Sequence, residues 1–178
     1  ILKLRVNTLV AQLAETALTD LVTGLPNRRA FDETIAREMA RADRSGEPLS
    51  LVLADLDYFK AVNDSLGHQA GDDLLRRLAG VLEKSRRRTE PAMRLGGDEF
   101  ALLLPNTEEG GAHLFAERVR LAVRKEFADD PVPVTMSLGV ATYPAHGEDI
   151  NTLFHAADSA VYAAKDRGRN RSVVYSAA

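Results

Sequence analysis

Two glycines and two acids set between apolar runs constrain this chain more than any other stretch. Arg94-Leu95-Gly96-Gly97-Asp98-Glu99-Phe100 reads as a strand, a two-glycine turn, two adjacent carboxylates and a second strand over Phe100 to Leu104. Tight hairpin turns need positive φ, which glycine adopts without strain. A turn without side chains also lets a bulky anion approach the backbone. Asp98 and Glu99 supply hard oxygen donors of the kind a magnesium ion prefers. The stretch therefore reads as a metal and phosphate platform on a hairpin tip. The alternative is a surface turn that is merely acidic.

A platform needs a core beneath it, and 178 residues suffice for one domain with a sizeable core. Apolar residues make up 45% and charged residues 28%, the proportions of a soluble globular protein. A net charge of −3 gives no global basic field, so nucleic acid is not an expected partner. Positive charge gathers locally instead, at Arg86 to Arg88 and over Lys165 to Arg169. The absence of cysteine excludes disulfides, thiolate catalysis and zinc–cysteine sites. No apolar run approaches the ~18 residues that a membrane span needs. The chain lacks an initiator Met and reads as a piece of something longer.

Along the chain, Leu2, Val6, Leu9 and Leu13 form a coiled-coil seam over residues 1–19, the end of an upstream helix. A helix packed on its own domain is the alternative. The turn cluster Asp20 to Arg29 leads into a helix over Arg28 to Ala42, capped by Asn27, with Phe31, Ile35 and Met39 inward. Leu49 to Leu56 reads as a buried strand ending in Asp55-Leu56-Asp57-Tyr58-Phe59-Lys60. Asp57 reads as the cap of the next helix, with a metal ligand fixed at the strand end as the alternative. Asp55 lies inside the apolar run, where a cap does not explain it, and a buried carboxylate needs a partner or a metal.

A short helix, Ala61 to Leu66, precedes a longer one starting at Gly71-Asp72-Asp73, with Leu74, Leu75, Leu78, Val81 and Leu82 on one face. Around them, Asn63, His68 and Asp72 are either turn and cap residues or a pocket for a base with a donor–acceptor edge. Thr107 reads as the cap of a helix over Glu108 to Glu126. A strand lies within Val132 to Tyr143, a last helix over Ile150 to Lys165, and a short strand over Ser172 to Tyr175. The order predicts an α/β (α+β) sandwich, close to the ferredoxin-like βαββαβ plan, with a mostly antiparallel central sheet and helices on its faces.

Four ordered motifs resemble those of the GGDEF domains, the diguanylate cyclases. They are Asp20 to Arg29; Asp55 to Lys60 with Asn63-Asp64, Gly67-His68 and Gly71-Asp72; Gly96 to Phe100; and Ser137 to Val140 with Tyr162 to Lys165 and Gly168-Arg169-Asn170. The resemblance covers Asp20 to Tyr175 and divides the chain into a signalling helix, 1–19, and a cyclase domain, 20–178. It implies a palm-like fold and condensation of two GTP into cyclic di-GMP by a two-fold dimer. It implies two Mg²⁺ per GTP, with Mn²⁺ as an alternative, held by Asp55, the Leu56 carbonyl, Asp98 and Glu99. Asp98, Glu99 and Lys60 are then catalytic, with Asp98 taking the 3′-hydroxyl proton. Asn63, His68 and Asp72 line the guanine pocket, and Phe59, Lys60, Gly96, Gly97, Lys165 and Arg169 hold phosphates. An upstream sensory domain and a cytoplasmic location, on a membrane-anchored or soluble parent, are further implications. The competing reading is a GGDEF-like module that senses GTP or cyclic di-GMP without turnover.

One departure bears on feedback. The family's inhibitory product site, Arg-x-x-Asp, reads here Arg87-Arg88-Thr89-Glu90, one methylene longer at the acid, with Arg118 as a second arginine. The expectation is weaker or altered product binding. A solvated helix end whose cations complement the dipole is the alternative.

Overall fold

The computed structural model describes residues 2–177, apart from the side chains of residues 14–16. Residues 1 and 178, at the ends of the two predicted segments, lie outside the described residues. The elements are α1 (Leu2–Thr16), α2 (Arg28–Ser45), β1 (Leu49–Asp57), α3 (Phe59–Leu66), α4 (His68–Ser85), β2 (Ala92–Gly96), β3 (Glu99–Pro105), α5 (Glu109–Glu126), β4 (Thr135–Tyr143), α6 (Ile150–Asp166) and β5 (Arg171–Val174). The sheet order is β2-β3-β1-β4-β5. The β1–β3, β1–β4 and β2–β3 pairs are antiparallel, and the edge pair β4–β5 is parallel. The first four strands follow the ferredoxin-like plan, and β5 is appended to it.

Period-two alternation on the strands divides the core between two faces. Val52, Ala54 and Leu56 of β1, with Phe100, Leu102, Met136 and Leu138, meet α4 and α5 on one side. Leu49, Leu51 and Leu53, with Ala101, Leu103 and Ala141, meet α2 and α6 on the other. Helix α6 lies very close to the sheet at Gly139. A Cβ there would stand 2.2 Å from the Ala157 carbonyl oxygen and 2.5 Å from the Val161 nitrogen. Glycine is thus required for space at this position.

Three local expectations need correction. Helix α4 begins at His68, not Gly71, because Gly67 (φ 87°) closes α3 and opens α4 at once with no side-chain cap. Asp72 and Asp73 therefore lie inside the helix. Thr107 does not cap α5; its hydroxyl donates to the Pro105 carbonyl at 2.9 Å. Nor does Asp57 cap α3, whose N-cap is Tyr58 without a side-chain bond. The Asn27 cap is present, accepting from the Ala30 amide at 3.1 Å. On α1 the seam residues Leu2, Val6, Leu9 and Leu13 are all exposed. No helix among the described residues is long and apolar enough to cross a membrane.

Candidate active site

The site grows from the end of β1. Asp55 pairs directly with Glu99 of β3, and strand parity puts both on the α2/α6 side of the sheet. Like charges directly opposite on one face repel, so the pair is tolerated rather than stabilising. The hairpin is tighter than the sequence suggests. Gly96 already pairs with Glu99, leaving Gly97 and Asp98 as the turn. Gly96 (φ 145°) and Gly97 (φ 49°) hold conformations that other residues resist, although a Cβ at either would meet nothing within 4 Å. Their role is conformational. The Asp98 carbonyl accepts from the Leu56 amide at 3.1 Å, which ties the turn to the end of β1.

The electrostatics follow from this crowding. Burial raises the pKa of Asp55 most; Lys165 opposes it, and Asp98 and Asp158 add to the rise. Glu99 is also raised, by burial and then by Asp55, Asp98 and Asp158. Lys165 is the cation within this group, donating from Nζ to Asp55 Oδ2. Burial alone lowers its pKa, but the bond and charge of Asp55, with Asp98 and Asp57, leave it raised. Asp158 was missed in the sequence. It stands two helical turns before Lys165, and that spacing on α6 was the available signal.

A cleft of about 290 Å³ is lined by Leu56, Tyr58, Phe59, Lys60, Asp98, Lys165 and Arg169, among others. The structure thus brings together the expected phosphate residues Phe59 and Lys60 of α3, Lys165 of α6 and Arg169 just beyond it, with Asp98 of the hairpin beside them; Gly96 and Gly97 do not line this cleft. The first turn of α3 opens onto this cleft, where helix N–H groups lack intrahelical partners and suit an anion. Phe59 itself turns its ring partly into the core. Arg169 lies over the Tyr58 ring at 5.7 Å.

The guanine candidates stand on the neighbouring helices, outside that cleft. Asn63 on α3 rests its side-chain oxygen where a Cβ on Gly71 of α4 would be, 1.9 Å away. Gly71 is therefore what lets the amide settle against α4. Asp72 is half-buried, whereas His68 is exposed at the start of α4.

The acids suit a divalent cation by their chemistry, as hard oxygens crowded into mutual repulsion. No group of three His, Asp or Glu side chains among the described residues is already gathered to hold one. The Leu56 carbonyl at the strand end is the further oxygen that the resemblance implies.

The expected product-site residues are only partly assembled. Arg87 and Glu90 line a separate, larger cleft of about 700 Å³ with Arg37, Arg41 and Arg88. Glu90 is buried and accepts from the Arg87 amide at 2.9 Å, so it closes its own turn. Arg118 does not line this cleft. It donates to the Ser85 carbonyl at 2.9 Å and lies over Phe115.

The turn before α2 braces the hairpin, a role the sequence did not reveal. Arg94 donates to both oxygens of Asp20 at 3.1 and 3.0 Å, and from Nε and Nη2 to the Gly97 carbonyl at 3.1 and 2.8 Å. Asp20 also accepts from the Thr23 amide and hydroxyl. Burial works to raise its pKa, but these bonds and the Arg94 charge hold it below the ordinary value.

Comparison with known proteins bears on the family and the fold. Residues 17–171 match the family model described as diguanylate cyclase, GGDEF domain. The chain is 41% identical over 160 residues to the diguanylate cyclase DgcP of Pseudomonas aeruginosa, covering 88% of this chain and 24% of that protein. It is 37% identical to DosC of Escherichia coli K12, a diguanylate cyclase, covering 89% of this chain and 35% of that one. The coiled coil and GGDEF domain of DgcB from Caulobacter crescentus, solved in complex with c-di-GMP, superposes with a TM-score of 0.89 at 32% identity. That match covers 96% of this chain and 92% of the other. The chain spans about a quarter and about a third of the two curated relatives' lengths.

Proposed function

The chain belongs to the GGDEF family of diguanylate cyclases, and from that premise we propose that it condenses two GTP into cyclic di-GMP, releasing two pyrophosphates. Each of two steps forms one bond from a 3′-oxygen to an α-phosphorus and breaks the bond to pyrophosphate. The observation that carries the reading is the convergence at one strand end. Asp55 faces Glu99 across β1 and β3, with Asp98 at the turn and Lys60, Lys165 and Arg169 around the adjoining cleft.

Asp55, Asp98, Glu99 and the Leu56 carbonyl are the groups for two Mg²⁺, or Mn²⁺, per GTP. Bound there, such ions supply charge stabilisation and activate the nucleophile for an in-line displacement. Asp98 accepts the 3′-hydroxyl proton. Lys60, Lys165, Arg169 and the amides of Phe59, Gly96 and Gly97 offset phosphate charge. Asp72, with Asn63 and His68, reads the guanine edge by accepting from N1–H and N2–H, a pattern adenine lacks.

Each domain holds one GTP, so turnover requires two copies facing each other about a two-fold axis. Helix α1, with its exposed apolar seam, is the element that aligns them under an upstream sensory domain. GTP supply places the domain in the cytoplasm. The arginine-lined cleft at Arg87 and Glu90 is the site where product feeds back, and Arg118, held on the Ser85 carbonyl, takes part only by leaving that bond.

The test is incubation with GTP and Mg²⁺ followed by chromatography of the products, using a fusion that enforces dimerisation. Cyclic di-GMP is expected from the native chain and none from Asp98→Ala. Formation by both proteins would remove the site assignment.

A further inference from the structure

Asp57 sits two residues from Asp55 on the same strand face, yet its environment is different. It is 2% exposed. Its carboxylate accepts from Ser137 Oγ at 2.7 Å, Thr135 Oγ1 at 2.7 Å and the Asn170 backbone amide at 3.0 Å. Both oxygens are thus committed to donors of the fold. The third of these bonds reaches an unusual turn, in which Gly168, Arg169 and Asn170 have φ of 113°, 63° and 46°. Glycine and asparagine tolerate that region, whereas arginine adopts it only when its surroundings impose it. The surroundings here are the Asp57 carboxylate on the Asn170 amide and Arg120, whose Nη1 donates to Asn170 Oδ1 at 3.0 Å. Arg169 follows from the turn, and its guanidinium lies over Tyr58, the residue after Asp57.

We propose that Asp57 is a positioning residue for the triphosphate: it locks the Gly168–Asn170 turn and thereby aims Arg169 into the phosphate cleft, and it is not a metal ligand. The inference rests on the reading of Arg169 as a phosphate contact. It separates the two aspartates of the Asp55-Leu56-Asp57 stretch: Asp55 faces Glu99 and takes Lys165, while Asp57, which borders the cleft, spends its carboxylate on holding the Gly168–Asn170 turn.

The experiment measures binding of 3′-deoxy-GTP, which cannot react, and of GMP, which lacks the β- and γ-phosphates, in Mg²⁺ buffer. The proteins are native chain, Asp57→Asn, Arg169→Ala and the double variant. Asp57→Asn should weaken 3′-deoxy-GTP about tenfold and leave GMP within about twofold. In the Arg169→Ala background it should add nothing, because the group it aims is gone. Equal weakening of both nucleotides, or full additivity with Arg169→Ala, overturns the proposal and makes Asp57 a general structural residue. If Arg169→Ala alone leaves 3′-deoxy-GTP binding unchanged, the phosphate role of Arg169 fails, and the positioning role falls with it. Should Asp57→Asn not fold, Ser137→Ala keeps the carboxylate and removes one donor that aims it. The same signature at reduced size supports the proposal, and equal weakening of both nucleotides overturns it.

Discussion

Replacing Arg94 with lysine keeps a positive charge and removes a fork. In the native chain the guanidinium serves three acceptors at once: two oxygens of Asp20 and the carbonyl of Gly97. Its side chain is 11% exposed and that of Asp20 20%, so the pair is largely desolvated. One ammonium cannot span both partners, and the more favourable contact is the carboxylate. The loss is then the pair of bonds on the Gly97 carbonyl, about 2 kcal/mol for a charged donor on one acceptor. Arg94→Met goes further and leaves the Asp20 carboxylate with Thr23 alone, so about 3–5 kcal/mol is expected. Urea denaturation followed by circular dichroism reads both. The pH dependence supplies a second check. Asp20 has a folded-state pKa below its ordinary 3.8, so its stabilisation is present above that value and lost as pH falls through the folded one. The Arg94→Met penalty should therefore shrink in acid. A lysine variant within about 0.5 kcal/mol of native, or a methionine penalty that does not change with pH, would refute the bracing role.

Other expectations follow from the site. Asp72→Ala should weaken GTP binding about tenfold or more while leaving ATP nearly unchanged, read by competition titration, because only guanine loses an acceptor. Glu99 is raised by burial and by three neighbouring acids, so its contribution to stability is present below its unfolded value and lost as pH rises through the folded one. Glu99→Gln should therefore raise the melting temperature at neutral pH, gain nothing below about pH 4, and respond less than the native chain to added Mg²⁺. Gly139→Ala should cost about 3 kcal/mol in a urea titration, since the new methyl meets backbone that cannot step aside.

The strands, the hairpin and the two helical layers were legible in the sequence because each depends on local periodicity. Leu49 to Leu56 had to be a buried strand, and the Phe31, Ile35, Met39 stripe had to face a core. Residues whose partners come from distant segments were not legible. Asp57 resembles a helix cap in sequence, but the register of β1 against β4 delivers Ser137 and Thr135 to it instead. Thr107 and the start of α4 were misread for a related reason: cap signals describe only the chain nearby, and at Gly67 backbone geometry decides the boundary. The Lys165–Asp55 contact joins residues 110 apart. The sequence offered a basic residue at a helix end and an unexplained acid on a strand, and only the packing of α6 joins them.

The close seating of α6 on Gly139 has a consequence for how the site accommodates its cargo. With backbone against backbone, the helix has no slack to slide or tilt, so Lys165 and Asp158 ride on a fixed rail. Across from it is a two-residue loop held by Arg94 on the Gly97 carbonyl and by the Leu56 amide on the Asp98 carbonyl. Under the proposed function, two nucleotides brought together would meet that rail on one side and, on the other, a loop whose place follows the Asp20 turn through Arg94.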